Sequence, residues 1–402
     1  MTNLPQGWKM ETLGEILSSD KYSIKRGPFG SALKKSFFVE KGIRIFEQYN
    51  PINNNPHWKR YFISHEKFQE LEAFKATEGD LLISCSGTLG KIVELPKDTE
   101  MGIINQALLK IRLNNIKILN SYFIYYFNSP IMQEKILEST LGSAIKNIAS
   151  VKILKQIEIP LPPLKKQERI VGILDESFAK IDESIKILEQ NLLNLDELMQ
   201  SALQKAFNPL KDNAKENYKL PQGWKWKSLE EISENISAGG DKPKNCTESK
   251  TAKNQIPVYA NGVNNNGLVG YTDKATIIKP SLTISARGTI GFVCIRKEPY
   301  FPIVRLISLI PCENILCLHY LYFCLNFFIA KGEGSSIPQL TIPKFKSLQI
   351  PLPPLKEQEQ ITKHLDFIFE KAKALKELYT KELKDYEELK QSLLDKAFKG
   401  EL

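Results

Sequence analysis

Two stretches of the chain alternate apolar and charged positions in the rhythm of a helix that hides one narrow stripe. In the first, Leu174, Phe178, Ile181, Ile185, Leu188, Leu192, Leu195 and Met199 follow one another at steps of four and three. In the second, Ile361, Leu365, Ile368, Ala372, Leu375 and Tyr379 keep the same rhythm, which then shifts phase through Leu383 and Tyr386. Heptads of this kind predict coiled-coil helices. Roughly 40 residues at about 1.5 Å each make a rod of about 60 Å. A stripe so narrow is not buried alone, so the two rods are expected to pack on each other, antiparallel if a two-fold axis across them relates two halves of the chain. Pairing with a second copy through one helix is the alternative.

Elsewhere the pattern is mixed. Positions 13–17 and 229–232 predict a short opening helix. Residues 80–85 and 282–286 read as buried strands running into glycine turns, and 103–104, 108–113, 292–295 and 306–310 as further strands. Residues 122–127 and 318–328 read as buried helices, and the apolar stretch 315–330 around the latter is too short and polar to predict a membrane span. Short extended runs at 157–159 and 348–350 precede prolines at 160, 162, 163 and 351, 353, 354. Prolines lack the N–H and favour extended backbone, so a helix is expected to start just after Pro163 and Pro354.

The elements come twice. Leu4-Pro5-Gln6-Gly7-Trp8-Lys9 returns after 216 residues, the Ser84…Gly87-Thr88-Leu89-Gly90 turn after 201, and Ile159-Pro160-Leu161-Pro162-Pro163-Leu164 after 191. The first half is therefore longer by 25 residues, 15 of them before the glycine turn. A duplicated framework with differing insertions fits, the insertions being expected in surface loops. The division is 1–163, a first globular domain; 164–207, a helix; 208–219, a polar linker; 220–354, a second globular domain; and 355–402, a second helix.

The two helical stretches carry 16 basic and 19 acidic side chains, whereas the remainder carries 39 basic and 27 acidic. The helices thus carry −3 and the rest of the chain +12, so the basic excess lies with the globular halves, the footprint expected of phosphate contacts. A basic surface kept for solubility is the plainer reading. Six cysteines without a Cys-x-x-Cys predict reduced, buried thiols and no zinc ribbon. No apolar leader opens the chain, and a cytoplasmic protein is expected. His57, His65, His319 and His364 are scattered, so neither a metal site nor a catalytic base is read. No nucleotide-binding loop, amino-methyltransferase signature, Gly-x-Ser-x-Gly elbow or His-Glu-x-x-His occurs.

The Leu-Pro-x-Gly-Trp openings, the Gly-Thr-x-Gly turns and the Ile-Pro-Leu-Pro-Pro-Leu-x-x-Gln-x-x-Ile helix starts, in that order and twice over, resemble the specificity subunits of type I restriction-modification enzymes. The resemblance spans essentially the whole chain. It implies an α/β (mixed α+β) fold of two similar target recognition domains in a pseudo-two-fold arrangement, joined by two long antiparallel coiled-coil helices. It implies double-stranded DNA as partner, with an asymmetric bipartite target. It also implies methyltransferase subunits docked on the helices and an ATP-dependent restriction and translocation subunit. S-adenosylmethionine, ATP and Mg would belong to those partners, no cofactor to this chain. Helix positions expected at subunit contacts are Leu174, Ile181, Leu188, Leu195, Leu365, Ala372 and Tyr379.

Base edges are read by Arg, Lys, Asn, Gln, Ser or Thr on loops. In the first half the candidates are Lys25 and Arg26 in the run 25–31, Lys34, Lys35, Gln48, Asn50, Lys59, Arg60, Ser86 and Thr88. In the second they are Lys242, Lys244, Asn261, Asn264, Asn265, Arg287 and Thr289, with Arg287 standing where the first half has Ser86. The Gly-Thr-x-Gly segment reads equally as a tight structural turn, and the asparagine run as a solvated one. The polar segments 143–147 and 335–339 face DNA or cap the fold. A coiled-coil adaptor with protein-binding halves and a stand-alone DNA-binding regulator are competing readings. An enzyme hidden in the turns lacks an evident base.

Overall fold

In a computed structural model of the chain, residues 5–138, 148–207, 220–329, 332–333 and 340–402 are described. The predicted linker 208–219 and the polar segments 143–147 and 335–339 lie outside them. The chain divides into two compact units, Met1–Leu188 with Lys381–Leu402, and Glu189–Thr380. Each unit contains one globular domain and parts of two long helices, Leu164–Phe207 and Leu355–Lys399.

In the first unit the opening strand Lys9–Thr12 pairs antiparallel with Glu158–Leu161, so the repeated opening and closing motifs of one half meet. Pro160 lies inside this strand, correcting the expectation that the extended run stops before it. A two-stranded ribbon leaves one side of each strand without a neighbour, where a missing N–H is tolerated. The main sheet runs Ile24–Arg26, Leu108–Ile111, Leu81–Ser84, Ile92–Glu94, all antiparallel. A second sheet holds Phe38–Val39, Phe62–Ile63, Ile43–Phe46, Gly102–Ile104 and Lys75–Ala76 in that order, with Ile43–Phe46 and Gly102–Ile104 parallel.

The second unit repeats the plan. Lys225–Ser228 pairs with Gln349–Leu352. The main sheet runs Ser233–Ala238, Ile307–Pro311, Ser281–Ile284, Val293–Arg296. Its second sheet has three strands, Leu268–Thr272, Ile256–Tyr259 and Phe301–Pro302, the last two parallel. The longer first half therefore adds strands to its second sheet, so its extra residues are not loop alone. The predicted buried helices form at Asn120–Phe127 and Leu318–Phe328, and the opening turn of the first half is a 3-10 helix, Leu13–Ile16.

One buried amide explains the glutamine of each proline motif. Gln167 is fully buried: its oxygen accepts from Leu119 N (2.9 Å), and its nitrogen donates to Lys117 O (2.9 Å) and Pro162 O (2.8 Å). Gln358 accepts from Cys317 N and donates to Ile315 O and Pro353 O at 2.8, 2.9 and 2.8 Å. Each glutamine thus ties the start of a long helix to the loop before the buried helix. The Tyr122 and Tyr320 hydroxyls donate to Pro160 O and Pro351 O, both at 2.8 Å, and their burial raises both phenols' pKa.

The long helices bury a line of every seventh residue: Leu174, Ile181, Leu188, Leu195 and Ala202 on the first, Leu365 and Ala372 on the second, with Tyr379 half-buried. Leu375, in the predicted stripe, is exposed. Within each unit the helices run antiparallel. In the first, Lys390 donates to Asp182 (2.5 Å), while Leu393, Leu394, Ala397 and Phe398 join the core with Leu174 and Phe178. Phe398 meets Tyr122 and Tyr126 edge-on at 5.4 and 5.0 Å. In the second, Lys376 pairs with Asp196, and Phe207 packs on Tyr320 and Phe327 at 5.8 and 5.5 Å. All six cysteines are free, but only Cys85 and Cys324 are buried; the other four are half-buried, short of the expectation.

Candidate nucleic-acid interface

In each domain the loops gather at one end of the main sheet, because strands that pair side by side finish or start there. In the first, Ile24–Arg26 leaves the sheet through Gly27, whose N–H donates to Leu108 O (2.9 Å). A Cβ on Gly27 would come within 1.7 Å of Asn105 O, so only glycine allows this approach. Phe46 O accepts from Asn105 N (3.0 Å), which brings the loop after Ile43–Phe46 to the same place. Gln48 on that loop donates to Ser86 Oγ (2.7 Å) on the loop after Leu81–Ser84. The resulting cavity, about 810 Å³, is lined by Lys25, Arg26, Phe29, Ser86 and Gln106 among others. A smaller one, about 170 Å³, shares Gly30 and Gln106 and adds Lys35 and Glu47. Burial raises the Glu47 carboxyl's pKa, and its Oε2 has no hydrogen-bond partner.

The second domain uses the same plan with different chemistry. Gly239 N donates to Leu306 O (2.8 Å), and a Cβ there would lie 2.6 Å from Ile303 N. Asn261, at the place of Gln48, accepts from Ala286 N (2.8 Å) and donates to Val304 O (2.6 Å). Val304 and Arg305 both adopt left-handed backbone, φ 55° and 60°. Two such residues in a row, one β-branched, are strained, and the turn persists because its neighbours over-determine it. Val304 N donates to Gly240 O and Arg305 N to Gly239 O, both at 2.8 Å. Exposed Arg305 and Arg287 stand on two of these converging loops, and Arg305 makes no ion pair with the described residues.

The sequence candidates divide accordingly. Lys25, Arg26, Gln48, Ser86 and Lys35 come together around the first tip, Asn261 and Arg287 at the second. Exposed Lys34 caps the short turn Lys35–Phe37, and exposed Lys242 and Lys244 follow Gly240. Exposed Thr88 occupies a hairpin turn in which Gly87 takes φ 66°, so the first Gly-Thr-x-Gly segment is a tight turn between strands. Lys59 pairs with Glu100 at 3.1 Å, and Arg60 lies over Tyr61 at 4.8 Å. Asn264 and Asn265 are exposed in a 3-10 turn, with Asn265 left-handed. Two candidates are placed inward. Asn50 is fully buried, its side chain spent on Glu47 N, Asn55 O and Trp58 O. Thr289 starts a strand paired with Glu333, and its hydroxyl is buried without a partner. Asn50 supports its own loop, and half-buried Thr289 turns its hydroxyl away from the surface. Gln106, Glu47 and Arg305 were missed, since nothing in their neighbours' spacing marks them.

A sequence profile described as "Type I restriction modification DNA specificity domain" matches residues 5–193 and 221–384. The chain belongs to the type I restriction-modification DNA specificity family. A Mycoplasma pneumoniae chain named as a type I specificity subunit is 32% identical over 224 residues, 54% of this chain and 57% of that one. The match therefore spans little more than half of that relative. A chain solved in a study of complex assembly and conformational transition of the type I R-M system superposes with a TM-score of 0.81 at 21% identity, over 100% of both chains. The crystal structure of the HsdS subunit from Thermoanaerobacter tengcongensis gives 0.62 at 21% identity, over 99% of this chain and 98% of that one. These two likenesses concern the fold. Among the described residues, no helix is long and apolar enough to cross a membrane, and no group of three His, Cys, Asp or Glu could hold a metal ion.

Proposed function

We propose that this chain is the DNA-reading subunit of a type I restriction-modification complex, without catalysis of its own. It binds an asymmetric bipartite target and directs adenine methylation and restriction by partner subunits. The observation that carries this reading is the pair of tips: one framework, with Gly27 matched by Gly239 and Gln48 by Asn261, presents two different sets of polar side chains. Two unlike readers on one scaffold suit two unlike half-sites. The working division is 1–163 and 220–354 as target recognition domains, 164–207 and 355–402 as spacer helices, and 208–219 as linker.

In this reading Lys25, Arg26, Lys34, Lys35, Gln48, Ser86, Thr88, Lys59 and Arg60 serve the first word. Lys242, Lys244, Asn264, Asn265, Arg287 and Arg305 serve the second, with Asn261 clamping the loops that carry Arg287 and Arg305. The helix stripes through Leu174, Ile181, Leu188, Leu195, Leu365 and Ala372, with half-buried Tyr379, are spent on packing within this chain, so they set the half-site spacing while the exposed faces of the helices carry the methyltransferase subunits. S-adenosylmethionine, ATP and Mg act in the partners, in the cytoplasm. Mapping methylated adenines in a host with and without the gene tests it. One two-part asymmetric motif should vanish with the gene; an unchanged methylation map would defeat the reading.

A further inference from the structure

We propose that Phe29 is a wedge that enters the base stack of the word read by the first domain, and that the second domain has no counterpart. The proposal rests on the DNA-reading function above. Phe29 is 90% exposed, whereas Phe46, Phe123 and Phe127 of the same domain are buried. A lone exposed hydrophobe is ordinary. Phe29 differs because its loop is locked on both sides of it. Gly27 is pressed against the Asn105 backbone, and Pro28 is buried with its φ fixed by the ring. Phe29 O accepts from Ala32 N (2.9 Å). The ring is thus held in water at the mouth of the cavity that Ser86 and Gln106 line.

The surroundings say what it meets there. Lys25 and Arg26 precede it on the strand, and exposed Lys34 and Lys35 follow on the next turn. Cations that hold phosphates on either side of an apolar ring match a nucleic-acid strand, whose bases offer a π-face to the ring. In the second domain the same framework, counted from Gly239, puts exposed Asp241 at this place. A carboxylate there repels phosphate and cannot stack. Distortion of the duplex is therefore expected in one word only.

The full chain with its modification subunits is tested on duplexes carrying the mapped target, with one 2-aminopurine moved through both words, avoiding the methylated adenines. Wild type and F29W should raise 2-aminopurine emission at one step of one word. F29A should lose that rise and bind the target roughly tenfold or more weakly, with its affinity for unrelated duplex unchanged because no charge is removed. A rise that survives F29A, or rises in both words, overturns the wedge while leaving DNA reading intact. So does an F29A chain that no longer co-purifies with the modification subunits, which makes Phe29 a protein contact. Equal affinity of wild type for target and unrelated duplex defeats the DNA-reading function itself, and the wedge with it.

Discussion

A single buried amide does more for this chain than most of its surface charges. Each of Gln167 and Gln358 satisfies three backbone groups, and a leucine would leave all three without that partner, the Pro162 and Pro353 carbonyls among them in buried bonds. At about 1–3 kcal/mol for the buried carbonyl left unpaired, and less for each of the two part-buried groups, Q167L or Q358L should lower stability by about 2–5 kcal/mol, read as a fall in the urea midpoint. Val304 is the reverse case. Its left-handed backbone is strained, so V304G should stabilise by about 1 kcal/mol and leave the methylated motif unchanged. Arg287 and Arg305 should behave otherwise. Alanine at either is expected to weaken target binding by about 1–3 kcal/mol and relax one base position; an unchanged motif in both variants would remove them as readers. Glu231 adds a pH signature. Bonds from Lys227 and Ser228 lower its pKa from 4.5 to about 2. A depressed carboxylate stabilises the fold above its unfolded pKa and loses that contribution as pH falls toward 2. E231Q should therefore flatten the acid limb of a stability–pH curve between about pH 4.5 and 2, while leaving its slope near neutral pH unchanged.

At the scale of elements, apolar stripes and not ion pairs hold the long helices. The Asp182–Lys390 and Asp196–Lys376 pairs have well-exposed aspartates, so D182N should cost less than about 1 kcal/mol. Phe398 is buried against Tyr122 and Tyr126, and F398A should cost about 3–5 kcal/mol, measurable by calorimetry. The last turn of the chain is thereby an integral part of the first domain's core. Phe207 plays the same part on Tyr320 and Phe327 in the second unit. The repeated Lys-Ala-Phe that ends each helix thus gains a physical meaning: it is a plug for an aromatic pocket.

At the scale of the whole molecule, charge is partitioned. The helices are near neutral and the rest of the chain carries 39 basic against 27 acidic side chains. Removing Lys34 and Lys35 together should weaken target and unrelated duplex alike and lower the slope of log affinity against log salt by about 2. A loss confined to the target would reassign them to base reading. Replacing residues 220–354 by the equivalent domain of another family member should change one word of the methylated motif and keep the other. A motif changed in both words would show that the halves do not read independently.

The sequence by itself determined the duplication, the two stripes and most strands and helices. Heptad spacing, alternation and proline placement act through the backbone over a few residues, so they can be read locally. Helix starts at Leu164 and Leu355, just past the prolines, are of this kind. Only the tertiary structure decided which polar side chains are available. Asn50 and Asn261 look like readers in a row of letters, yet one is buried and the other clamps Ala286 to Val304, 25 and 43 residues away. Arg305 looks ordinary, yet a strained turn presents it. Whether an amide faces water or a carbonyl depends on partners far along the chain, which no local pattern contains.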